Sequence, residues 1–134
     1  MIFIDSWVWI EFFQEETSKP VKAVLQRAVT DSVVISTIVL MEVKYSILKK
    51  YGKEMADSVI NTIEIFPNIK VLPVTSDVAR TAADIRKKYY NKKRQLSYAD
   101  AINIATAMLS GCNKLYSGDR DFEKIDELKT EIIM

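Results

Sequence analysis

A chain of 134 residues, 49% of them hydrophobic and with a formal net charge of +1, suits one compact domain over 1–134, and no global charge announces a partner. It has no histidine and one cysteine, Cys112, which excludes Ser-His-Asp and Cys-His nucleophile systems, HExxH zinc sites, His-pair acid–base catalysis and an internal disulfide. Any catalysis then rests on carboxylates, lysines, hydroxyls or a hard cation such as Mg2+ or Mn2+, and the lone cysteine points to the cytoplasm.

The apolar start, Met1–Ile4, is cut short by Asp5. It reads as a buried strand rather than a secretory segment, and no later apolar run is long enough for a bilayer. Trp7 to Gln14 starts a helix. Lys19-Pro20 interrupts, and Pro20 suits the first turn of a helix carrying Val21, Val24, Leu25 and Ala28. Val33–Ser36 is a second, β-branched strand. Ser36-Thr37 can cap a helix with Val39, Leu40, Val43, Ile47 and Leu48 on one face, ending at Gly52. Another helix covers Glu54 to Glu64, and Pro67-Asn68 is a break. Ile69–Val74 is a third strand. Ser76 or Asp77 can cap a helix with Val78, Ala82, Ile85 and Tyr89 in register. Gln95–Ser97 leads into a helix from Tyr98 to Leu109 that stops at Gly111. Lys114–Ser117 is a fourth strand and Ile132–Ile133 a short fifth. Strands alternating with helices predict an α/β domain, a mainly parallel sheet of about five short strands flanked by helices. In such sheets the ligand crevice lies beyond the C-terminal strand ends, where strand order reverses.

The acids fall at that edge. Asp5 ends the first strand. Asp119 follows the fourth, with Asp121 two residues on. Glu42 and Asp100 lie in the first turns of helices that follow Ser36 and Ser97. Converging carboxylates repel one another, and a hard divalent cation relieves the repulsion while supplying chemistry at phosphorus. Each acid also has a plainer reading: Asp5 as a helix cap, Asp100 as the acid of a Ser-x-x-Asp capping arrangement, Glu42 as an exposed helix acid, Asp119 and Asp121 as turn residues.

Four segments together carry a resemblance: Ile2-Phe3-Ile4-Asp5-Ser6; Ser36-Thr37-Ile38-Val39-Leu40-Met41-Glu42-Val43; Leu96-Ser97-Tyr98-Ala99-Asp100-Ala101-Ile102-Asn103-Ile104-Ala105; and Tyr116-Ser117-Gly118-Asp119-Arg120-Asp121-Phe122. In this order the chain resembles the PIN-domain ribonucleases, and in size most resembles the VapC toxins of toxin–antitoxin modules. The resemblance implies a Mg2+- or Mn2+-dependent endoribonuclease that forms homodimers and is neutralised by a cognate antitoxin. By position, Asp5, Glu42, Asp100 and Asp119 match the family's catalytic acids. The implied metal ligands are Asp5, Asp100, Asp119 and Asp121, the last two sharing or exchanging one role. Ser6 and Ser117 match supporting positions. Trp7 departs from the pattern, standing where many relatives carry a small polar residue.

Arg86-Lys87-Lys88-Tyr89-Tyr90-Asn91-Lys92-Lys93-Arg94 puts six positive charges and two tyrosines in nine residues just before the Asp100 segment. Arg86, Lys87, Lys88, Lys92, Lys93 and Arg94 are therefore candidate RNA contacts, against the plainer reading of a solvated helix end. Trp7 and Trp9 cannot share one helical face, so one ring is expected to stay partly exposed, suiting a dimer or antitoxin interface. Tyr45, Tyr51 and Met55 are expected to pack. A PIN-like module that only binds RNA or protein is the competing reading. An aspartyl-phosphate phosphatase fits less well, because Trp7 stands where its second acid belongs. A receiver domain fits less well because the third strand runs into Pro73-Val74-Thr75.

Overall fold

The computed structural model describes residues 1–133; Met134, the last residue of the expected domain, lies outside the described residues. Its elements in chain order are β1 (Ile2–Ile4), α1 (Ser6–Phe12), α2 (Lys19–Thr30), β2 (Val33–Ser36), α3 (Thr37–Tyr51), α4 (Lys53–Glu64), β3 (Ile69–Leu72), α5 (Ser76–Tyr89), α6 (Tyr98–Leu109), β4 (Lys114–Ser117), a 3-10 turn (Arg120–Phe122) and β5 (Thr130–Ile132). The five strands form one sheet in the order β3-β2-β1-β4-β5. Every pairing is parallel.

Burial follows from that topology. The inner strands β1 and β2 are buried throughout, because helices cover both faces of a parallel sheet. The edge strands β3 and β5 are only half-buried, and Lys70 and Glu131 put charge on the edges. Right-handed crossovers in this order carry α1–α4 over one face and α5 and α6 over the other. Contacts agree: α1 packs on β4 and α3 on β2, while α6 packs on both β2 and β4. Phe3, Ile4, Val8, Trp9, Ile35, Val39, Ile104, Leu115 and Tyr116 are among the buried side chains between these layers. Full burial of each aliphatic or aromatic side chain contributes about 1.5–3 kcal/mol.

Local chemistry sets the helix ends. The Ser36 hydroxyl accepts the Val39 amide and opens α3. Gly52 closes it at φ 90°, a conformation that disfavours any side chain. Ser97 and Asp100 form a reciprocal capping box at the start of α6. Five expectations are corrected. The cap of α5 is Thr75, whose hydroxyl accepts the Val78 amide, not Ser76 or Asp77, which already lie in the helix. The third strand ends at Leu72, not Val74, and the last spans Thr130–Ile132, because pairing with Leu115–Ser117 fixes its register. Leu48, expected on the core face of α3, is partly exposed. Tyr45 and Tyr51 on α3 and Met55 on α4 are exposed rather than packed, since the buried stripes are Val39, Val43 and Ile47 of α3 and Ala56, Val59 and Ile63 of α4.

Candidate active site

β1 and β4 are neighbours, yet the chain leaves them in opposite directions, so strand order reverses between their C-terminal ends. Asp5 and Ser117 stand side by side at this point. The Asp5 amide donates to the Tyr116 carbonyl at 3.0 Å, which extends the β1–β4 ladder by one residue. The Ser117 hydroxyl donates to Asp5 Oδ2 at 2.8 Å. It also accepts the Asp119 amide at 3.0 Å, so one serine fixes the inner acid and the loop of the outer ones. Asp119 Oδ1 in turn accepts the Asp121 amide at 2.8 Å and shapes the 3-10 turn.

The second half of the wall comes from helix starts. α3 and α6 are in contact, Ser36 just before α3 is bonded to Asn103 of α6, and the charge of Asp100 bears on Glu42. Between them lies Asn103, buried on α6. Its Oδ1 accepts the Ser36 hydroxyl at 2.6 Å, and its Nδ2 makes a long 3.4 Å contact with Asp5 Oδ1. Carboxylate oxygens of Asp100, Asp119 and Asp121 all lie within 4.8 Å of one another. Asp5 and Glu42 stand outside that group of three and are coupled to it through charge.

Burial and like charge act in the same direction here. Asp5 is only 3% exposed. Its carboxyl is pushed up to about 6, by burial first and with help from the charge of Glu42, against the pull of the Ser117 hydrogen bond. Asp100 is pushed up to about 7, by burial first and then by the charge of Asp5. Glu42 is raised by burial and by Asp100, with Ser6 and Asn103 acting the other way. Asp121 is raised by burial and by Asp119, while Arg94 opposes the shift. Glu42 Oε1 is buried without a hydrogen-bond partner. Such an orphaned acceptor needs a donor or a cation. An all-oxygen set with this much mutual repulsion fits a hard divalent ion directly or through its waters, with Asp100, Asp119 and Asp121 as the nearest holders.

The plainer readings resolve unevenly. Asp5 occupies the position before α1 but makes no side-chain capping bond. Asp100 does cap its helix and faces the acid cluster as well. Asp119 is both a turn-former and a member of the group of three. The Trp7 indole packs against Gly118 so closely that a Cβ there would collide with it. The bulky ring after Asp5-Ser6 is thus matched by the residue before Asp119 that has no side chain. Trp9 is buried, its indole N–H donating to the Ile4 carbonyl at 3.2 Å, and Trp7 is the partly exposed ring. Asn103 and Ser36 join the site with little signal in the sequence. The signal for Asn103 is an amide one turn after Asp100 in an otherwise apolar run, Ala-Ile-Asn-Ile-Ala.

The basic segment divides into three. Lys88 is paired with Asp126 and Glu127 at 3.3 and 3.1 Å. The Arg86 guanidinium lies 4.3 Å from the Tyr90 ring and 4.0 Å from the Tyr98 ring. Lys87 lines a hollow beside these rings. Lys92, Lys93 and Arg94 line a hollow of about 620 Å³ whose wall also includes Arg120 and Asp121. Asn91 holds this loop, its Oδ1 accepting the Lys93 and Arg94 amides at 2.8 Å each.

Taken together, fold and site define a doubly wound α/β domain with a carboxylate cluster at its switch point. The chain belongs to the PIN domain family, whose model matches residues 2–128. Solved structures share the fold at low identity. VapBC2 from Rickettsia felis, bound to a DNA fragment from its promoter, has a TM-score of 0.77 at 17% identity, with 98% of each chain covered. VapC20 from Mycobacterium tuberculosis, a sarcin–ricin loop cleaving toxin, has a TM-score of 0.74 at 22% identity, with 91% of this chain and 92% of that chain covered. A toxin–antitoxin complex from Klebsiella pneumoniae has a TM-score of 0.73 at 24% identity, with 99% and 100% covered. No curated protein matches the sequence. Among the described residues, no helix is long and apolar enough to cross a membrane.

Proposed function

We propose that this protein is a Mg2+- or Mn2+-dependent endoribonuclease acting as the toxin of a toxin–antitoxin pair in the cytoplasm. The observation that carries this reading is the convergence of Asp5, Glu42, Asp100, Asp119 and Asp121 from four separate segments on one crevice of a histidine-free chain. When bound, a hard cation supplies a more acidic water and neutralises charge at phosphorus. Asp100, Asp119 and Asp121 would hold it, with Asp5 behind them adding negative potential. Ser117 orients Asp5 and the Asp119 loop, and Ser6 faces Glu42. Glu42, raised and with an orphaned oxygen, is suited to accept a proton from the attacking water. Lys92, Lys93 and Arg94, with Arg86, Lys87 and Lys88 further along, give the RNA backbone a basic rim beside an otherwise repelling pocket.

An antitoxin and a second copy of the chain are the proposed protein partners. Met41 and Tyr45 on α3 are 58% and 61% exposed and supply apolar surface for such contacts. A module that binds without cleaving is the competing reading; five acids whose mutual repulsion opposes folding stand against it.

The deciding experiment is cleavage of RNA by the purified protein with Mn2+, with EDTA, and with Asp100→Asn. The expected result is cleavage only with metal and the native acid, the substitution costing at least about a hundredfold in rate. Cleavage that survives both EDTA and Asp100→Asn overturns the mechanism.

A further inference from the structure

We propose that Tyr98, with Arg86 and Tyr90, forms a stacking subsite for one unpaired nucleobase of the RNA; this rests on the nuclease reading above. Tyr98 is 72% exposed and Tyr90 48%, and the two stand together rather than singly. They are not loose. The Arg86 guanidinium lies against both rings, 4.0 Å from Tyr98 and 4.3 Å from Tyr90. Arg86 is itself tied down, its Nε donating to the Leu96 carbonyl at 3.2 Å. Two rings and a guanidinium plane are thus preorganised as flat surfaces around a hollow of about 330 Å³ lined also by Ala83 and Lys87.

Three features choose the occupant. Flat π and guanidinium faces suit a planar base, which stacks on aromatic rings regardless of its identity. The walls of the hollow are the Tyr90 and Tyr98 rings, Arg86, Lys87 and Ala83, so flat faces and two cations, not a branched aliphatic pocket, set what it takes. Lys87 at its rim and the Lys92–Arg94 loop next along the chain suit the phosphates on either side of the base. Tyr98 opens α6 and Asp100 lies in the same first turn on a different face, so the hollow and the acidic centre flank one helix end and a single strand can pass from one to the other.

The test compares wild type, Tyr98→Ala and Tyr98→Phe for binding a labelled single-stranded oligoribonucleotide and the same oligomer with abasic positions. Ca2+ replaces Mg2+ so that affinity is read apart from cleavage. Tyr98 is exposed, and equal melting temperatures check that all three chains are folded. The expected result is a roughly five- to hundredfold weaker affinity for Tyr98→Ala with the base-bearing oligomer. Tyr98→Phe should bind like wild type, and the abasic oligomer should bind all three equally. Tyr98→Ala that binds the base-bearing oligomer as tightly as wild type overturns the subsite, as does an equal loss on the abasic one. If that variant instead weakens self-association alone, the surface is a protein contact and the subsite is again overturned. Wild type that cleaves RNA without any dependence on Tyr98 removes the subsite and leaves the nuclease intact. Wild type that neither binds nor cleaves RNA removes both.

Discussion

The inner and outer halves of the acidic centre are built differently. Asp5 and Glu42 belong to the inner half, walled by β1, β4, α3 and α6 and held by Ser117, Asn103 and Ser6. Asp119 and Asp121 belong to the outer half, on a 3-10 turn that is only partly covered and joined mainly to itself. The inner half is a place where charge is expensive and geometry is fixed. The outer half is a place where charge is cheaper and a ligand can be replaced by water. Asp100 bridges them, feeling Asp5 on one side and Asp119 on the other. A centre of this kind stores its repulsion inside and meets its substrate outside.

The largest expected effect concerns the inner charge. In the folded protein Asp5 sits at about 6 and Asp100 at about 7, against 3.8 for each when ordinary. Unfolding lets both return to that ordinary value. The metal-free fold therefore keeps their full contribution below about pH 4 and loses it as pH rises through 6 and 7. For Asp5 alone the loss is about 3 kcal/mol. Melting in EDTA should show the midpoint falling between pH 5 and pH 8, with Mn2+ restoring it at pH 8 and Asp5→Asn flattening the profile. A midpoint in EDTA that rises across that window would show that the inner charge is not what the fold has to overcome.

Next comes the scaffold of the inner half. Asn103→Leu keeps the branching of the side chain and removes the amide that accepts Ser36 and reaches Asp5. Groups that orient ligands typically contribute 10–100-fold to metal affinity. A loss in that range, read as a weaker Mn2+-induced rise in melting temperature, is expected. Unchanged metal affinity with a lower melting point would make Asn103 a packing residue and nothing more.

These two halves were also unequally legible. β1, β2 and β4 stand out because an inner parallel strand is buried on both faces and reads as an apolar run ended by a polar residue. Asp5 and Ser117 could be placed on the sheet edge for the same reason. β5 was harder: an edge strand of Thr, Glu and Ile has no clear pattern of its own, and its register comes from β4. The cap of α5 was misplaced by one or two residues because Thr75, Ser76 and Asp77 can all cap, and backbone geometry chooses among them. Asn103 stayed hidden because its partners are 67 and 98 residues away. A hydrogen bond across that separation is a product of the fold, and only the polar break in an apolar helix hints at it. On α3 the core stripe of Val39, Val43 and Ile47 is legible, but its apolar residues run past that stripe, so the exposure of Leu48, Tyr45 and Tyr51 is not.

The smallest expected effect tests the outer half, where sequence alone left two acids sharing one role. Asp119 has two jobs, since its Oδ1 accepts the Asp121 amide while its carboxylate belongs to the group of three. Asp119→Asn keeps an oxygen for the amide and removes only the charge, so it isolates the ligand role. Asp121→Asn removes a charge from a position that Arg94 already offsets and where water has access. The loss of Mn2+ affinity should therefore be smaller for Asp121→Asn, about tenfold or ~1.4 kcal/mol, than for Asp119→Asn. Calorimetric titration of the two variants ranks them directly. The reverse ranking would make Asp121 the principal outer ligand and leave Asp119 as the residue that holds the turn in which Asp121 sits.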